Sequence, residues 1–414
     1  MTNDIAAIAD STTIAKSGTK ERQHLYYLDW LRVILIFGVF LFHAVHPFDA
    51  LIPWYIKNVE QSGAVTAFLL LTNPWGIPLF FLVAGAGSKF ALSRRSNKQY
   101  ISERVNRLLI PFIVGSLLLS PLQAYLEALH KGSFQGSFLS YLPEMLVERT
   151  SGNLFTPLVF SRWGFHLYFL AFLFAYSILA LPIFRWFKRG GGQSSIIWLG
   201  RLVEKRGGIL LFAIPLALAR ILVQAIPEGS GWLNFTYYFF FFVLGYIIYS
   251  DDRFVYAIRG DRWLLFVGGV IGLVVYGGLS AVFGDQTFEW ALTFVVPWSI
   301  ILIFVFVLMS WGWALNVLYL AMKYLNFSNK WLVYGSDTIM PFYLLHQPVI
   351  IVIAYFVVQW DVGVLPKLLV IVIGSFLITL GLVELLVRPF KPMRRLFGMK
   401  PRRGKDEEAK TAVA

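Results

Sequence analysis

The stretch LDWLRVILIFGVFLFHAVHPF, residues 28–48, carries Arg32 near one end of an apolar run and His43 near the other. An imidazole titrates near neutrality, so it can take a proton from a hydroxyl or accept a transferred group. A guanidinium is a permanent cation whose planar fork suits carboxylates and phosphates. In a helix the eleven-residue step from Arg32 to His43 is about 1100°, or three turns and roughly 20°, which puts both on one face about 16 Å apart in depth. A buried imidazole inside a span needs a partner or a cavity. His46, one turn further on, reads as interfacial. Arg32 is placed to pair with Asp29 three residues earlier, or to snorkel to the interface.

A second constellation is GSDTIMPFYLLHQPVI, residues 335–350. Tyr343 and His346 share a helix face at i,i+3, and Pro341 and Pro348 free backbone carbonyls at membrane depth. The plainer reading is a kinked helix with a satisfied histidine. In RWGFHLYFL, residues 162–170, His166 lies near an interface where an aromatic belt is expected in any case. Arg220 in LALARILVQAIP requires a partner or water, and a structural ion pair and a substrate contact fit equally. Glu384 and Arg388, four apart, read as a structural pair. The small residues of FFLVAGAGSKFAL, residues 80–92, call for close helix packing.

These residues need elements that hold them in a bilayer. Of 414 residues, 57% are hydrophobic and 14% charged, and apolar runs of about 20 residues recur, each long enough to cross a hydrocarbon core. The ten-residue alternation of a membrane barrel is absent. The fold expected is an all-α polytopic bundle of ten spans, at 28–48, 64–88, 108–129, 164–184, 208–226, 232–250, 263–283, 290–310, 332–358 and 365–387. Alternating loops then hold 28 Lys and Arg on one side, among them Arg94, Arg95, Arg104 and Arg107, and five on the other, which places both termini in the cytoplasm. The domain expected is 25–390, flanked by a disordered tail over 1–24 and a basic tail over 391–414. The outer segment 130–163 is long enough to shape a site, and 311–331 is expected to lie along the cytoplasmic interface.

With no cysteine, disulfides, thiolate-ligated zinc and a catalytic thiol are excluded. The net charge of +13 follows from topology and does not call for a nucleic-acid partner. Walker A, GxSxG and HExxH motifs and metal-ligand clusters are missing, so no permanently bound cofactor or metal is expected.

The Arg32–His43 pair within YYLDWLRVILIFGVFLFH resembles the signature of the membrane acyltransferase-3 family. The resemblance continues through PLFFLVAGAGSKFALSRR (78–95), RVNRLLIPF (104–112), HLYFLAFL (166–173) and MPFYLLHQPVI (340–350), the last most similar to the branch that acylates glycans. It implies an O-acyltransferase of the bacterial plasma membrane. Such an enzyme moves an acetyl or succinyl group from cytoplasmic acyl-CoA to a hydroxyl of an extracytoplasmic carbohydrate. It also implies that His43 is catalytic and that Arg32 serves the donor site. The expected division of labour is His43 as base or transient acyl carrier, with Arg32, Arg94 and Arg95 toward coenzyme A. His346, Tyr343, Arg220 and His166 fall to substrate. The rival class is a transporter or flippase for a polar solute, since intramembrane His and Arg also mark proton and substrate pathways; no internal repeat supports it.

Overall fold

The structure, a computed structural model, describes residues 24–151, 153–224, 230–283 and 299–400. Among them there is no β-strand. The chain opens with α1 (Tyr26–Val45), which ends in a 3₁₀ turn over His46–Phe48, and α2 (Gly63–Arg94). Next come α3 (Asn97–Arg104), α4 (Ile110–Leu118), α5 (Ser120–Lys131), α6 (Phe138–Thr150) and α7 (Leu158–Gly164). The middle of the chain holds α8 (Tyr168–Leu179), α9 (Leu181–Phe187), α10 (Gly190–Val203), α11 (Ala213–Gln224), α12 (Ser230–Ile248), α13 (Asp252–Gly260) and α14 (Arg262–Phe283). The last are α15 (Ser299–Tyr324), α16 (Lys330–Val357), α17 (Val364–Leu382) and the short α18 (Lys391–Leu396).

Among the described residues eight segments are long and apolar enough to cross a membrane, and a ninth counts if the pair Asn97–Leu118 and Ser120–Lys131, bent by 41°, is one span. The shorter apolar helix Gly208–Val223 falls where the fifth span was expected. The fold is thus the polytopic helical bundle expected. The bend in the third segment has a local cause. Pro121 opens α5, and a proline there disfavours a continuous helix through the residue before it.

Small residues and prolines decide how the helices approach one another. A Cβ added at Gly85 would stand 1.9 Å from the carbonyl oxygen of Phe242, and one at Gly245 would stand 1.9 Å from that of Leu82. Helices α2 and α12 are therefore in backbone contact, as the small-residue stretch at 80–92 demands. Pro78 inside α2 has no N–H to give the carbonyl of Pro74, four residues back. The Ser310 hydroxyl of α15 donates to that carbonyl at 2.6 Å instead, so the backbone defect is repaired by a neighbour.

One expectation changes. Residues 311–324 do not lie along the interface, because α15 continues through them. Trp311, Ala314, Leu315 and Leu318 are fully buried, and the Trp311 indole donates to the carbonyl of Ile209 at 2.9 Å. The apolar run simply extends until Lys323, in its last turn. Residues 290–298 of the expected eighth span, like residues 1–23, lie outside the described residues. Within the outer segment 130–163 the chain folds into α6 and most of α7, and the start of the expected C-terminal tail folds back as α18.

Candidate active site

Three histidines from three parts of the chain converge. Nε2 of His346 lies 3.3 Å from Nδ1 of His43, with the two rings stacked at 5.2 Å. His166 meets His43 edge-on at 6.1 Å and His346 at 4.9 Å. The local sequence explains each position. His43 sits in the last turn of α1. His166 lies in a 3₁₀ turn that interrupts the fourth span, beside Phe165, whose φ of 53° makes it the one non-glycine residue with positive φ among those described. Such strain persists where surrounding packing enforces it, and Phe165 is buried with its ring 4.8 Å from Tyr55. Pro348 has no N–H for the carbonyl of Leu344, and one residue earlier the Tyr343 carbonyl lies 3.0 Å from Nε2 of His166.

The hydrogen bonds fix the direction of the protons. A carbonyl only accepts, so Nδ1 of His346, 2.7 Å from the Tyr343 oxygen, carries the hydrogen. In the neutral ring Nε2 of His346 is then an acceptor, and Nδ1 of His43 must donate to it. That leaves Nε2 of His43 without a proton, the form a base or nucleophile needs. Nε2 of His166 likewise donates to the Tyr343 carbonyl at 3.0 Å, and its Nδ1 is buried without a partner. The Tyr343 hydroxyl donates to the carbonyl of His166 at 2.5 Å. Tyr343 thus holds both flanking histidines.

His43 lines a small cavity of about 30 Å³. Ile36, Phe80, Phe169 and Tyr343 also wall a second cavity of about 340 Å³ that contains Arg32. The two adjoin, and the larger opens toward the side rich in arginine. In it Arg32 pairs with Asp29 at 2.7 Å and Arg95 with Glu103 at 2.6 Å. Arg104 and Arg107 each leave a buried Nε–H unpartnered. The five residues Val105–Leu109 form a π-helical turn just before Pro111, whose ring crowds the Arg107 carbonyl. Such turns re-aim side chains and recur at functional sites.

At the opposite end, α5, α6 and α7 enclose a third cavity of about 490 Å³, with Tyr55, Tyr141 and Phe165 as aromatic walls and Glu127, Glu148 and Arg149 among its charged groups. Arg149 is 3% exposed and ties α6 to its neighbours by donating to the carbonyls of Trp163 and Ser120. The loop before α2 closes over the histidines. Its Trp54 ring lies 5.1 Å from His43 and 4.3 Å from His46. The loop is pinned by Lys57, which donates to the Asp49 carbonyl at 2.5 Å, and by Asn58, which accepts from Lys367 at 2.9 Å. His46 is therefore fully buried, not interfacial.

Of the residues singled out from sequence, the fold brings together His43, His346, Tyr343 and His166, and places Arg32 and Arg95 in the adjoining cavity. Arg94 is exposed beside it. Arg220 stands apart, buried with its guanidinium over the rings of Phe306 at 4.5 Å and Tyr237 at 5.0 Å; it lines none of the three cavities. Trp54 and Tyr55 escaped sequence reasoning, although two adjacent aromatics in a short outer loop were a signal. Arg104 and Arg107, topological signals in the sequence, line the arginine-rich cavity.

An acyltransferase-3 domain model matches residues 25–384, and the chain belongs to that family of membrane acyltransferases. Among curated relatives it is similar to a protein named Glucans biosynthesis protein C from Salmonella paratyphi A, with 24% identity over 349 residues, 78% of this chain and 81% of that protein. The same identity and coverage hold for the Salmonella agona (strain SL483) protein of that name. No solved structure matches.

Proposed function

We propose that this acyltransferase takes an acetyl or succinyl group from cytoplasmic acyl-CoA and transfers it to a hydroxyl of an extracytoplasmic carbohydrate, in the plasma membrane of a bacterium. The observation that carries the reading is the pair of adjoining cavities, one rich in arginine and the other lined by His43. The charge asymmetry of the loops puts the arginine end toward the cytoplasm. A thioester donor binds there through its phosphates, which guanidinium groups grip well. The name of the relatives, and the aromatic and carboxylate walls of the outer cavity, favour a carbohydrate acceptor.

In the reaction, the acceptor hydroxyl gives its proton to Nε2 of His43 while its oxygen attacks the thioester carbonyl. The C–O bond forms, the C–S bond breaks, and the proton passes to the departing thiolate, which leaves as the free thiol. His346 accepts the hydrogen of His43 Nδ1, keeps the ring in the reactive tautomer and spreads the charge of the imidazolium as it forms. General-base catalysis of this kind is worth about 10²–10⁴-fold.

The test uses purified protein in nanodiscs with acetyl-CoA or succinyl-CoA and a mixed-glycan acceptor, with thiol release followed beside His43→Ala. Release that the substitution abolishes in a folded protein supports the reading and identifies the donor. Full activity of His43→Ala would remove His43 from the chemistry. Movement of a solute down a gradient with no new covalent bond would favour a transporter.

A further inference from the structure

The chain beyond the last span is part of the cytoplasmic mouth. After Phe390 it turns back as α18, and the strap from Lys391 to Lys400 is fixed at several points. Arg394 is 6% exposed. It reaches Asp337 of α16 at 3.4 Å and donates to the carbonyl of Lys400 at 2.9 Å. Phe397 and Met399 are buried. Gly398 takes a φ of 70°, and a Cβ there would stand 2.9 Å from Met340 and 3.1 Å from the carbonyl of Arg107. Only glycine makes this turn without strain, and the turn delivers Lys400 to the rim.

Lys400, Glu103 and Arg107 line both the inner cavity that leads toward His43 and a further cavity of about 910 Å³ on its cytoplasmic side. That outer vestibule is enclosed between α3 and the strap. Lys98, Arg107, Lys391, Arg394, Arg395 and Lys400 supply six cations against the single carboxylate of Glu103. On the side it shares with the His43 cavity, the inner cavity is walled by Ile36, Phe80, Phe169 and Tyr343, which suits a thioester arm.

Resting on the donor reading above, we propose that this vestibule binds the phosphate-bearing nucleotide end of the thioester donor, with Lys400 and Arg107 gripping phosphate where the two cavities join. The strap is then a wall of the donor site and a determinant of its specificity for nucleotide-bearing thioesters. Arg394 acts through position only, by holding Lys400 in place.

Full-length protein in nanodiscs is assayed with acetyl-CoA and with the acetyl thioester of N-acetylcysteamine, which has the reacting group but no nucleotide. Lys400→Ala is expected to raise the KM for acetyl-CoA by about tenfold, the loss of one charge-assisted phosphate contact, with kcat and the KM for the short thioester unchanged. Asp337→Asn, which loosens the strap, shifts the same KM in the same direction, and binding of 3′,5′-ADP weakens in parallel by calorimetry. An unchanged KM for acetyl-CoA in Lys400→Ala overturns the proposal, and so does an equal rise for both thioesters, which marks a structural effect. Nanodiscs of phosphatidylcholine alone and with phosphatidylglycerol form the second arm. An effect of Lys400→Ala confined to the anionic bilayer would assign the cluster to lipid headgroups and overturn the proposal. If the wild-type protein consumes neither acetyl-CoA nor succinyl-CoA, or consumes the short thioester but not the coenzyme A ester of the same acyl group, the donor reading fails and the vestibule assignment falls with it.

Discussion

Nδ1 of His43 and Nε2 of His346 stand 3.3 Å apart, on helices separated by some 300 residues of chain, and the Tyr343 carbonyl behind them sets which nitrogen holds each proton. Replacing His346 by Ala is expected to lower kcat about 10- to 100-fold with little change in KM, because the base remains but its tautomer is no longer held. His346→Gln, whose amide oxygen can accept the His43 hydrogen, recovers part of that loss. Steady-state kinetics of the two variants beside wild type check the claim; equal losses would show that His346 only fills space.

Arg32 is held close by the absence of a side chain opposite it. A Cβ on Gly87 would lie 2.7 Å from its Nη2, so Gly87→Ala pushes the guanidinium off its place. The expected result is a several-fold higher KM for the donor with a melting temperature close to wild type, since the far end of an arginine moves cheaply. A large loss of stability without a KM effect would show instead that the position serves helix packing.

The repaired carbonyl of Pro74 offers a stability test remote from the chemistry. Ser310→Ala removes its donor and leaves a buried acceptor unsatisfied, a cost of about 1–3 kcal/mol. Thermal unfolding in detergent should show the loss, while KM for donor and acceptor stays as in wild type.

Tyr55 lines the aromatic-walled cavity, and its ring lies 4.6 Å from that of Trp54, which covers His43. Tyr55→Ala is expected to reduce acyl transfer to glycan by roughly tenfold, as loss of a stacking ring and of acceptor order. Slow hydrolysis of the thioester by water persists. Measuring both products in one reaction separates the two; a parallel fall in hydrolysis would place Tyr55 in the donor half.

The apolar runs announced the bundle, and the i,i+3 spacing of Tyr343 and His346 announced their shared face. Even the Glu384–Arg388 pair, 2.8 Å apart, was legible from its spacing. What could not be read was any relation created by tertiary contact. Nothing local says that the turn at Phe165 swings His166 inward, or that Trp54 covers His43. Arg220 shows the converse. A deep arginine signalled a partner, and the partners are the faces of Tyr237 and Phe306, which no charge pattern reveals. Residues 311–324 are mostly buried and not interfacial because the apolar run continues until Lys323, and the two lysines mark only where helices end and begin.

The throat at His43 holds about 30 Å³, room for no more than about two water molecules. In the proposed orientation it lies between two aqueous compartments. A bundle built this way can hand a chemical group across while remaining an insulator to ions. Under the proposed function, the bond energy of the donor thioester is spent on the far face of the membrane while the donor stays on its own side.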